Sequence, residues 1–561
     1  MAPSSPHDRY QSPLAGRYAS DEMQTIWSAR HKFGIWRKIW LAVAQAQHEC
    51  GLPVTQEQID ELSANLDVTD EDIASAAKYE AELRHDVMAQ VHAWGDRCPN
   101  ARGIIHLGMT SQDINDNCEL ILLHEAEVCL SRSYGRFLIA AGNFAERTKS
   151  IPTLGFTHYQ PAQPTTVGRR CAQWMYDLMN AGLMRPNYYD DPMLGGSEGA
   201  RLRGLRGATG TQASFLALFD NDAERVQRVE ALFVNNLRRE FGWEDRGLDQ
   251  VIEEETELMG GGFVDDFEGM IDVEAFGKAT EEGDLETVSK IFEQDDAKQA
   301  EVRADGPRRY LRSYTYELCS QTYPRIHDTA VVSRLAAVCA VLHKAATDIR
   351  LLSNRKELDE PFAAKQIGSS AMPYKRNPMR CERVCGLARF VWNLVGNTYD
   401  TAATQWLERT LDDSANRRLT LPEAFLATDA CLSIMTNVMS GLIVHEATVR
   451  KNLMAELPFM ASENLMMEAV KRGKDRQEVH EAIRQHAQLA GSRVKDEGAD
   501  NDLIERLRSE PLLEGVDLDA ALDPSKYVGL AVEQTEAFIN DYITPLRERY
   551  GDQQDTEDLK L

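Results

Sequence analysis

The sequence predicts a mainly α-helical protein of two or three domains, built around a bundle of long helices. Its 561 residues, 43% of them hydrophobic, are enough to bury several cores. Apolar residues recur at helical spacing over long stretches, which is typical of bundles. Alternating strand patterns bounded by hairpin turns are scarce, so any strands should be short and peripheral.

Two segments carry the bundle prediction. The first has large side chains every seven residues, with alanines between them on the same stripe: Leu123, Leu130, Phe137 and Phe144, with Ala126 and Ala141. This spacing predicts a helix of about seven turns. The second follows the polar stretch 412–416 and has apolar spacings of three, four and seven: Phe425, Leu432, Met435, Met439 and Leu442.

Charge and cysteine usage exclude several classes of protein. A formal charge of −27 would repel nucleic acid over most of the surface, so we expect no nucleic-acid partner. The ten cysteines are scattered without zinc-site spacing, which argues against a metal and for a reducing compartment. Residues 1–10 lack the apolar core of a signal peptide, and we expect no membrane span and a cytoplasmic location.

Much of the acidity lies in one segment. Residues 243–305 contain 21 acidic and 5 basic residues, a net charge of −16. We interpret this segment as a surface insertion, in which Glu281 to Phe292 could form a short helix. It is either an inert insertion or a regulatory element, and both remain open.

The stretch Gly368-Ser369-Ser370-Ala371-Met372-Pro373-Tyr374-Lys375-Arg376-Asn377-Pro378 is the most informative. Its two prolines resist a continuous helix, so we expect Ser369 to lie on a loop that can open and close. Asn377 and Pro378 are predicted to be the N-cap and first residue of a helix whose positive end lies beside Lys375 and can hold a carboxylate. An ordinary polar loop before a helix is the alternative.

Further motifs occur along the whole chain: Ser12-Pro-Leu-Ala-Gly-Arg17-Tyr18, Leu83-Arg84-His85-Asp86, His106-Leu-Gly-Met-Thr110-Ser111, Thr157-His158-Tyr-Gln-Pro-Ala-Gln163, and Glu408-Arg409-Thr-Leu-Asp-Asp-Ser414-Ala-Asn-Arg417-Arg418. The loop resembles the signature of the fumarase/aspartase superfamily, and these motifs resemble the adenylosuccinate lyase family, its animal and fungal branch most. The resemblance runs from about residue 10 to 548, interrupted by the acidic segment and by 186–199. It implies an all-α, three-domain fold, with domains at 1–110, 111–444 and 445–561.

The resemblance also implies a reaction. A family member eliminates fumarate from adenylosuccinate, giving AMP, and from succinyl-aminoimidazole-carboxamide ribotide, giving the carboxamide ribotide. Elimination requires a base, an acid and positive charge where the carbanion's electrons collect. By resemblance Ser369 is the base, His158 the proton donor, and Lys375 and Asn377 stabilise the intermediate. Without the motif, a lone histidine such as His158 is more often structural. By resemblance His85 is a second active-site histidine, and its role is open between contacting the phosphate and tuning His158.

The remaining family positions are implied substrate contacts. For the phosphate they are Arg17, Tyr18, Arg409, Ser414 and Arg418, and for the succinyl carboxylate Thr110 and Ser111, which also form a capping box with Asp113. Other implied contacts are Arg84, Asp86, Thr157, Gln321 and Arg383. The resemblance implies no cofactor, and a homotetramer with active sites shared between subunits.

Two alternatives remain from the sequence. Another lyase of the superfamily, such as an argininosuccinate lyase, shares the loop but has no reason to keep the phosphate-binding arginines. A non-catalytic scaffold could use the acidic insertion to recruit a basic partner, although the intact Ser369, Lys375 and His158 argue against that as the sole function.

Overall fold

The computed structural model describes residues 10–183, 199–252, 306–362, 365–368 and 371–551. Over these residues the chain is mostly helical, with two small antiparallel sheets of two strands each. The predicted all-α class is confirmed. The expected helix at Glu281 to Phe292 and the departure at 186–199, apart from its last residue, lie outside the described residues.

Residues 10–100 form short and medium α-helices, each of which begins at a Ser, Thr or His side chain that accepts a backbone N–H. They are α1 (Asp21–Ile26), α2 (Ala29–Glu49), α3 (Gln56–Ser63), α4 (Asp70–Leu83) and α5 (Asp86–Arg97). A π-helical turn, Leu14–Tyr18, precedes them. Helix α2 is buried along much of its length and packs against the bundle.

The bundle contains the longest helices. Its members are α6 (Ser111–Thr148), followed by the hairpin β1 (Pro152–Thr157) and β2 (Gln160–Thr166), then α7 (Val167–Leu178), α8 (Ala213–Leu218), α9 (Ala223–Glu240), α10 (Gly306–Tyr314), α11 (Ile326–Asn354), β3 (Leu358–Asp359), α12 (Met379–Ala403), α13 (Asp412–Gly441) and β4 (Ile443–Val444). Helix α6 has 38 residues, about ten turns and not the seven predicted. It is longer because Ile114, Cys118 and Ile121 continue the buried stripe toward its N-terminus.

Helix α13 also starts earlier than predicted. The polar stretch 412–416 is its first turn and not a segment before it, because Asp413 is buried in ion pairs there. The predicted stripe from Phe425 to Leu442 is buried.

Three bundle helices run in the same direction. Arg325, just before α11, donates to Asp116 near the start of α6 at 3.0 Å and to Asp413 near the start of α13 at 2.9 Å. Helix α12 runs the opposite way, since its late residue Asn397 contacts Thr420, early in α13. We call the end with Asp116, Arg325 and Asp413 the amino end of the bundle. The opposite end, where α6, α11 and α13 finish, is the carboxyl end.

The C-terminal part contains α14 (Glu446–Met460), α15 (Ser462–Lys471), α16 (Arg476–Asp496), α17 (Leu503–Leu507), α18 (Ala531–Phe538) and α19 (Thr544–Tyr550). Residues between Ala461 and Leu518 form a second hydrophobic core, separate from the main one. The last helices return to the bundle, where Ile543 and Tyr550 lie against Gly142 and Gly135 of α6. The three domain boundaries stay a prediction.

Among the described helices, α11 is long and apolar enough to cross a membrane by length and composition. It is also the centre of the bundle, between α12 and α13, and 56% of its most apolar window is buried inside the fold. Core helices pass the same test of length and composition, so this feature is weak support for a membrane span.

The start of the predicted acidic insertion belongs to the core. Trp243 stacks on Phe241, and Leu248 and Val251 are buried. The prediction that the whole segment 243–305 lies on the surface is therefore wrong for these first residues, because they fill the space beside α6 and α9. Ile252 and Gly306 lie side by side: a Cβ on Gly306 would be 2.4 Å from Cγ2 of Ile252.

Candidate active site

His158 lies at the tip of the β1–β2 hairpin. It and Tyr159 form a two-residue turn, both with positive φ, of 53° and 57°, between the paired residues Thr157 and Gln160. Two positive φ angles in succession match the twist of a tight hairpin and expose the imidazole. The guanidinium of Arg355 stacks on Phe156, 4.9 Å from the ring centroid. Because Arg355 directly follows α11, the hairpin is fixed at the carboxyl end of the bundle.

The signature loop is at the same end. Its base is closed by Glu360, whose carboxylate accepts the backbone N–H groups of Arg380 at 3.0 Å and Cys381 at 2.7 Å. Within the loop, Asn377 donates from Nδ2 to the carbonyl of Gly368 at 2.9 Å. Glycine is required at 368, because a Cβ there would lie 2.0 Å from the carbonyl oxygen of Lys375. Ser369 lies outside the described residues.

The predicted helix start at Asn377 is wrong. Pro378 is the N-cap and α12 begins at Met379. The amide of Asn377 is used inside the loop, and the free N–H groups of the first turn are taken by Glu360. The positive end of α12 therefore already holds a carboxylate of the chain itself. Lys375 is exposed beside it, and Arg383 follows in the second turn of α12.

A second group of predicted residues lies at the amino end. His85 is the N-cap of α5 and accepts the N–H of Met88 on Nδ1 at 3.4 Å, while its Nε2 is 3.4 Å from Oγ of Ser111. With Nδ1 as acceptor, the neutral ring carries its proton on Nε2 and donates it to Ser111. The neighbouring Asp86 accepts from Arg418 at 2.9 Å. Arg84, just before, has a φ of 55°.

Thr110 and Ser111 begin α6 as the capping box predicts. Asp113 accepts the backbone N–H of Thr110 at 2.7 Å and forms a fully buried ion pair with Arg203. Near this turn, His106 accepts from the indole of Trp40 at 3.1 Å, and burial lowers the pKa of His106 to about 4. The imidazole of His106 is therefore neutral at pH 7.

Arg409 and Gln321 contact each other directly. Nη1 of Arg409 donates to Oε1 of Gln321 at 3.2 Å, and Nε and Nη2 donate to Oδ1 of Asp413 at 3.3 and 3.1 Å. The other oxygen of Asp413 accepts from Arg325. Next in the chain of ion pairs is Asp116, whose pKa is raised because its burial outweighs the nearby positive charges.

The other predicted phosphate contacts lie along the first half of α13. Ser414 is in the first turn and Arg418 in the second. The π-helical turn that carries Arg17 and Tyr18 packs on the same helix, where Ser12 donates to Glu423.

Within one chain the predicted residues therefore form two groups. The amino-end group contains His85, Asp86, Ser111, Gln321, Arg409 and Arg418, and the carboxyl-end group contains Thr157, His158, Lys375, Asn377 and Arg383. Helix α11 lies between the two groups. Arg325, just before α11, is joined to the amino-end group through Asp413. Arg355, just after α11, contacts the hairpin of the carboxyl-end group. Its 29 residues span about 43 Å. A single chain does not bring the two groups together.

Three residues that organise these groups were not predicted from the sequence. Glu360 closes the signature loop, and Asp413 holds Arg409. The third is Gln112, in the amide orientation in which both its N and its O are hydrogen-bonded. Its amide nitrogen donates to Asp116 at 2.9 Å, and its amide oxygen accepts from Nη2 of Arg409 at 3.2 Å. Asp413 and Gln112 each adjoin a predicted residue, Ser414 and Ser111. Nothing in the local pattern distinguishes Glu360 from other acidic residues. In the described ranges no three His, Cys, Asp or Glu side chains are grouped to hold a metal.

Comparison with known proteins gives the same family along the whole chain. Residues 16–189 and 311–392 match the lyase family model, and residues 458–538 match the adenylosuccinate lyase C-terminus. The chain is 40% identical to the adenylosuccinate lyase of Saccharomyces cerevisiae, with 98% of both chains covered. It is 41% identical to that of Schizosaccharomyces pombe, over 95% of this chain and 94% of the relative.

Solved structures share the fold. A 3-carboxy-cis,cis-muconate lactonizing enzyme from Pseudomonas putida superposes with a TM-score of 0.68 at 21% identity, covering 96% of this chain and 100% of its own. A fumarate lyase from a Mesorhizobium species gives 0.67 at 19% identity, covering 93% and 98%. The matches to the family models, together with similarity to the two yeast enzymes over nearly the full length, show that the chain belongs to the adenylosuccinate lyase family.

Proposed function

We propose that this chain is an enzyme that cleaves the C–N bond of adenylosuccinate, releasing AMP and fumarate, and that it acts in the same way on succinyl-aminoimidazole-carboxamide ribotide. The observation that carries the proposal is the similarity over nearly the full length to curated adenylosuccinate lyases. The clustering of Arg409, Gln321 and Arg418 at the amino end supports it, because a nucleotide phosphate needs fixed cations.

The chemistry requires two proton movements. A base removes a proton from the succinyl carbon next to the carboxylate, the C–N bond breaks, and the leaving nitrogen takes up a proton. We assign the base to Ser369 and the acid to His158, whose tight turn presents the ring to solvent without burying it. Lys375 supplies positive charge for the carbanion's electrons, which collect on the carboxylate.

We propose that the active site is assembled from several copies in a homotetramer. The length of α11, about 43 Å, supports this, because the helix runs between the end of the bundle with the His85 group and the end with the His158 group. Exposed apolar side chains on α12, on α13 and between them support a further packing partner: Phe390, Tyr399, Trp406, Leu407, Leu411 and Leu419.

The assembly is tested by mixing two inactive variants. His158→Gln damages the carboxyl-end group and His85→Gln the amino-end group. After subunit exchange, some hybrid sites combine an intact amino end with an intact carboxyl end, and we expect activity to return. If subunit exchange is confirmed and no activity returns, each chain carries its own site.

The reaction is tested with purified protein and adenylosuccinate, following AMP and fumarate. Argininosuccinate in parallel separates the two lyase activities, and turnover of neither substrate would favour the scaffold. We also propose a cytosolic location, which the ten unpaired thiols support. Cell fractionation tests it.

A further inference from the structure

Asp413 is a buried carboxylate shared by two arginines. Its side chain is fully buried, with Oδ2 bound to Arg325 at 2.9 Å and Oδ1 bound to Arg409 through two nitrogens. Arg325 is itself fixed from behind, by Asp116 at 3.0 Å and by the ring of Tyr323, 4.5 Å from its guanidinium carbon. The orientation of Asp413 is therefore set by groups that cannot move without disrupting the core.

Arg409 differs from Arg325 in the groups that contact the part of the guanidinium pointing away from Asp413. Asp413 takes the edge formed by Nε and Nη2, while the amide oxygens of Gln321 and Gln112 accept from the terminal nitrogens. The side chain of Arg409 is 11% exposed, whereas that of Arg325 is 1% exposed. A phosphate oxygen is a stronger acceptor than a neutral amide, so it can replace an amide on the terminal nitrogens while the Asp413 edge stays in place.

We infer that Asp413 is a positioning residue, which aims the terminal nitrogens of Arg409 at the phosphate of the nucleotide substrate. The guanidinium is planar with donors in a fixed fork, so holding one edge fixes the direction of the other. This inference rests on the proposed function. It assigns to Asp413 no contact with substrate, and its effect passes entirely through Arg409.

The test compares two substrates, the succinylated nucleotide and the same nucleoside without its 5′-phosphate. Asp413→Asn removes the negative charge and replaces one carboxylate oxygen with an NH2 donor. The guanidinium of Arg409 is then no longer held along its Nε and Nη2 edge. We expect KM for the nucleotide to rise about tenfold, with kcat changed little, and KM for the nucleoside to stay the same. In the double variant Asp413→Asn/Arg409→Ala, KM should be no higher than in Arg409→Ala alone.

Asp328→Asn is the matched control. Asp328 is also buried and accepts from an arginine, Arg417, at 2.7 Å, but Arg417 is not an assigned substrate contact. This variant should lose stability without changing the ratio of the two KM values. A purely structural role for Asp413 predicts that both variants behave alike.

If Asp413→Asn does not fold, Asp413→Glu keeps the charge but moves the carboxylate outward by one methylene, and it should raise the same ratio to a smaller extent. An unchanged ratio in a folded variant, equal rises for both substrates, or additive effects in the double variant would overturn the inference. Failure of the unmodified protein to cleave adenylosuccinate would overturn the proposed function, and this inference with it.

Discussion

Arg418 donates a hydrogen bond to Asp86 at 2.9 Å and so joins the second turn of α13 to the first turn of α5, across 332 positions of sequence. The side chain of Arg418 is 56% exposed and that of Asp86 is 31% exposed. A pair this exposed adds little to stability, typically about 0–1 kcal/mol. Arg418 is therefore free to serve a ligand at little cost to the fold.

Arg418→Ala should raise KM for adenylosuccinate by tenfold or more and leave kcat nearly unchanged. A phosphate contact is made in both the ground and transition states, and charge-assisted contacts contribute about 1.5–3 kcal/mol each. Steady-state kinetics measure the effect. Arg493→Ala, which breaks an exposed ion pair with Asp502 in the C-terminal part, should behave as the unmodified enzyme. A fall in kcat alone would remove Arg418 from the phosphate site.

Ser369→Ala should lower kcat by several orders of magnitude and leave substrate binding intact, because only proton removal in the transition state is lost. Isothermal titration with substrate separates binding from turnover. The neighbouring Ser370→Ala is the control and should retain activity. Near-normal turnover of Ser369→Ala would show that another group is the base.

Glu360→Ala should destabilise the protein by about 2 kcal/mol and reduce kcat, since it frees two N–H groups of α12 and opens the base of the signature loop. Denaturant unfolding and kinetics measure the two effects. Asp475→Ala removes a similar cap, on Gln477 and Glu478 of α16, and should cost stability without lowering kcat. Equal kcat in both variants would limit Glu360 to helix capping.

Acid should destabilise the fold through three histidines. Burial lowers the pKa values of His106, His124 and His327 to about 4, against about 6.5 in the unfolded chain. Between these values only the unfolded chain binds the protons, so the free energy of unfolding falls as the pH drops below about 6.5. The free energy of unfolding falls by at most about 2 kcal/mol per histidine at pH 5. The loss is smaller where solvent reaches these half-buried rings and screens their charge.

Urea unfolding at pH 7 and pH 5 measures this loss. His106→Asn should reduce the difference between the two pH values, because asparagine tolerates the φ of 71° at this position and does not titrate. His480→Asn, at an exposed position, should leave the difference unchanged. An unchanged difference in His106→Asn would mean that the ring of His106 is protonated in the folded protein.

Residues 253–305 should be replaceable by a short Gly/Ser linker without loss of assembly or turnover. Ile252 and Gly306 lie side by side, so a few residues close the gap. KM should be unchanged or lower and less sensitive to salt, because a net negative field slows entry of an anionic substrate. Extending the deletion back to Trp243 should destabilise the protein, since it removes the buried Leu248 and Val251. Lost turnover in the shorter deletion would show that the segment is catalytic.

The sequence by itself determined the helical class, the position of the long helices and the capping box at Thr110, because apolar periodicity and capping are local properties of a few neighbouring residues. It also carried the family motifs, since these are continuous. The structure confirmed the buried stripes of α6 and α13.

Only the tertiary structure decided which residues meet. The carboxylate that caps α12 comes from Glu360, and the partner that holds Arg409 is Asp413. The apolar residues Trp243, Leu248, Val251 and Ile252 pack into the core although their segment is acidic. The separation of His158 from His85 is set by the length of α11. These relationships join residues that are distant in sequence or share no local pattern, and packing and ion pairing fix them only once the helices are assembled.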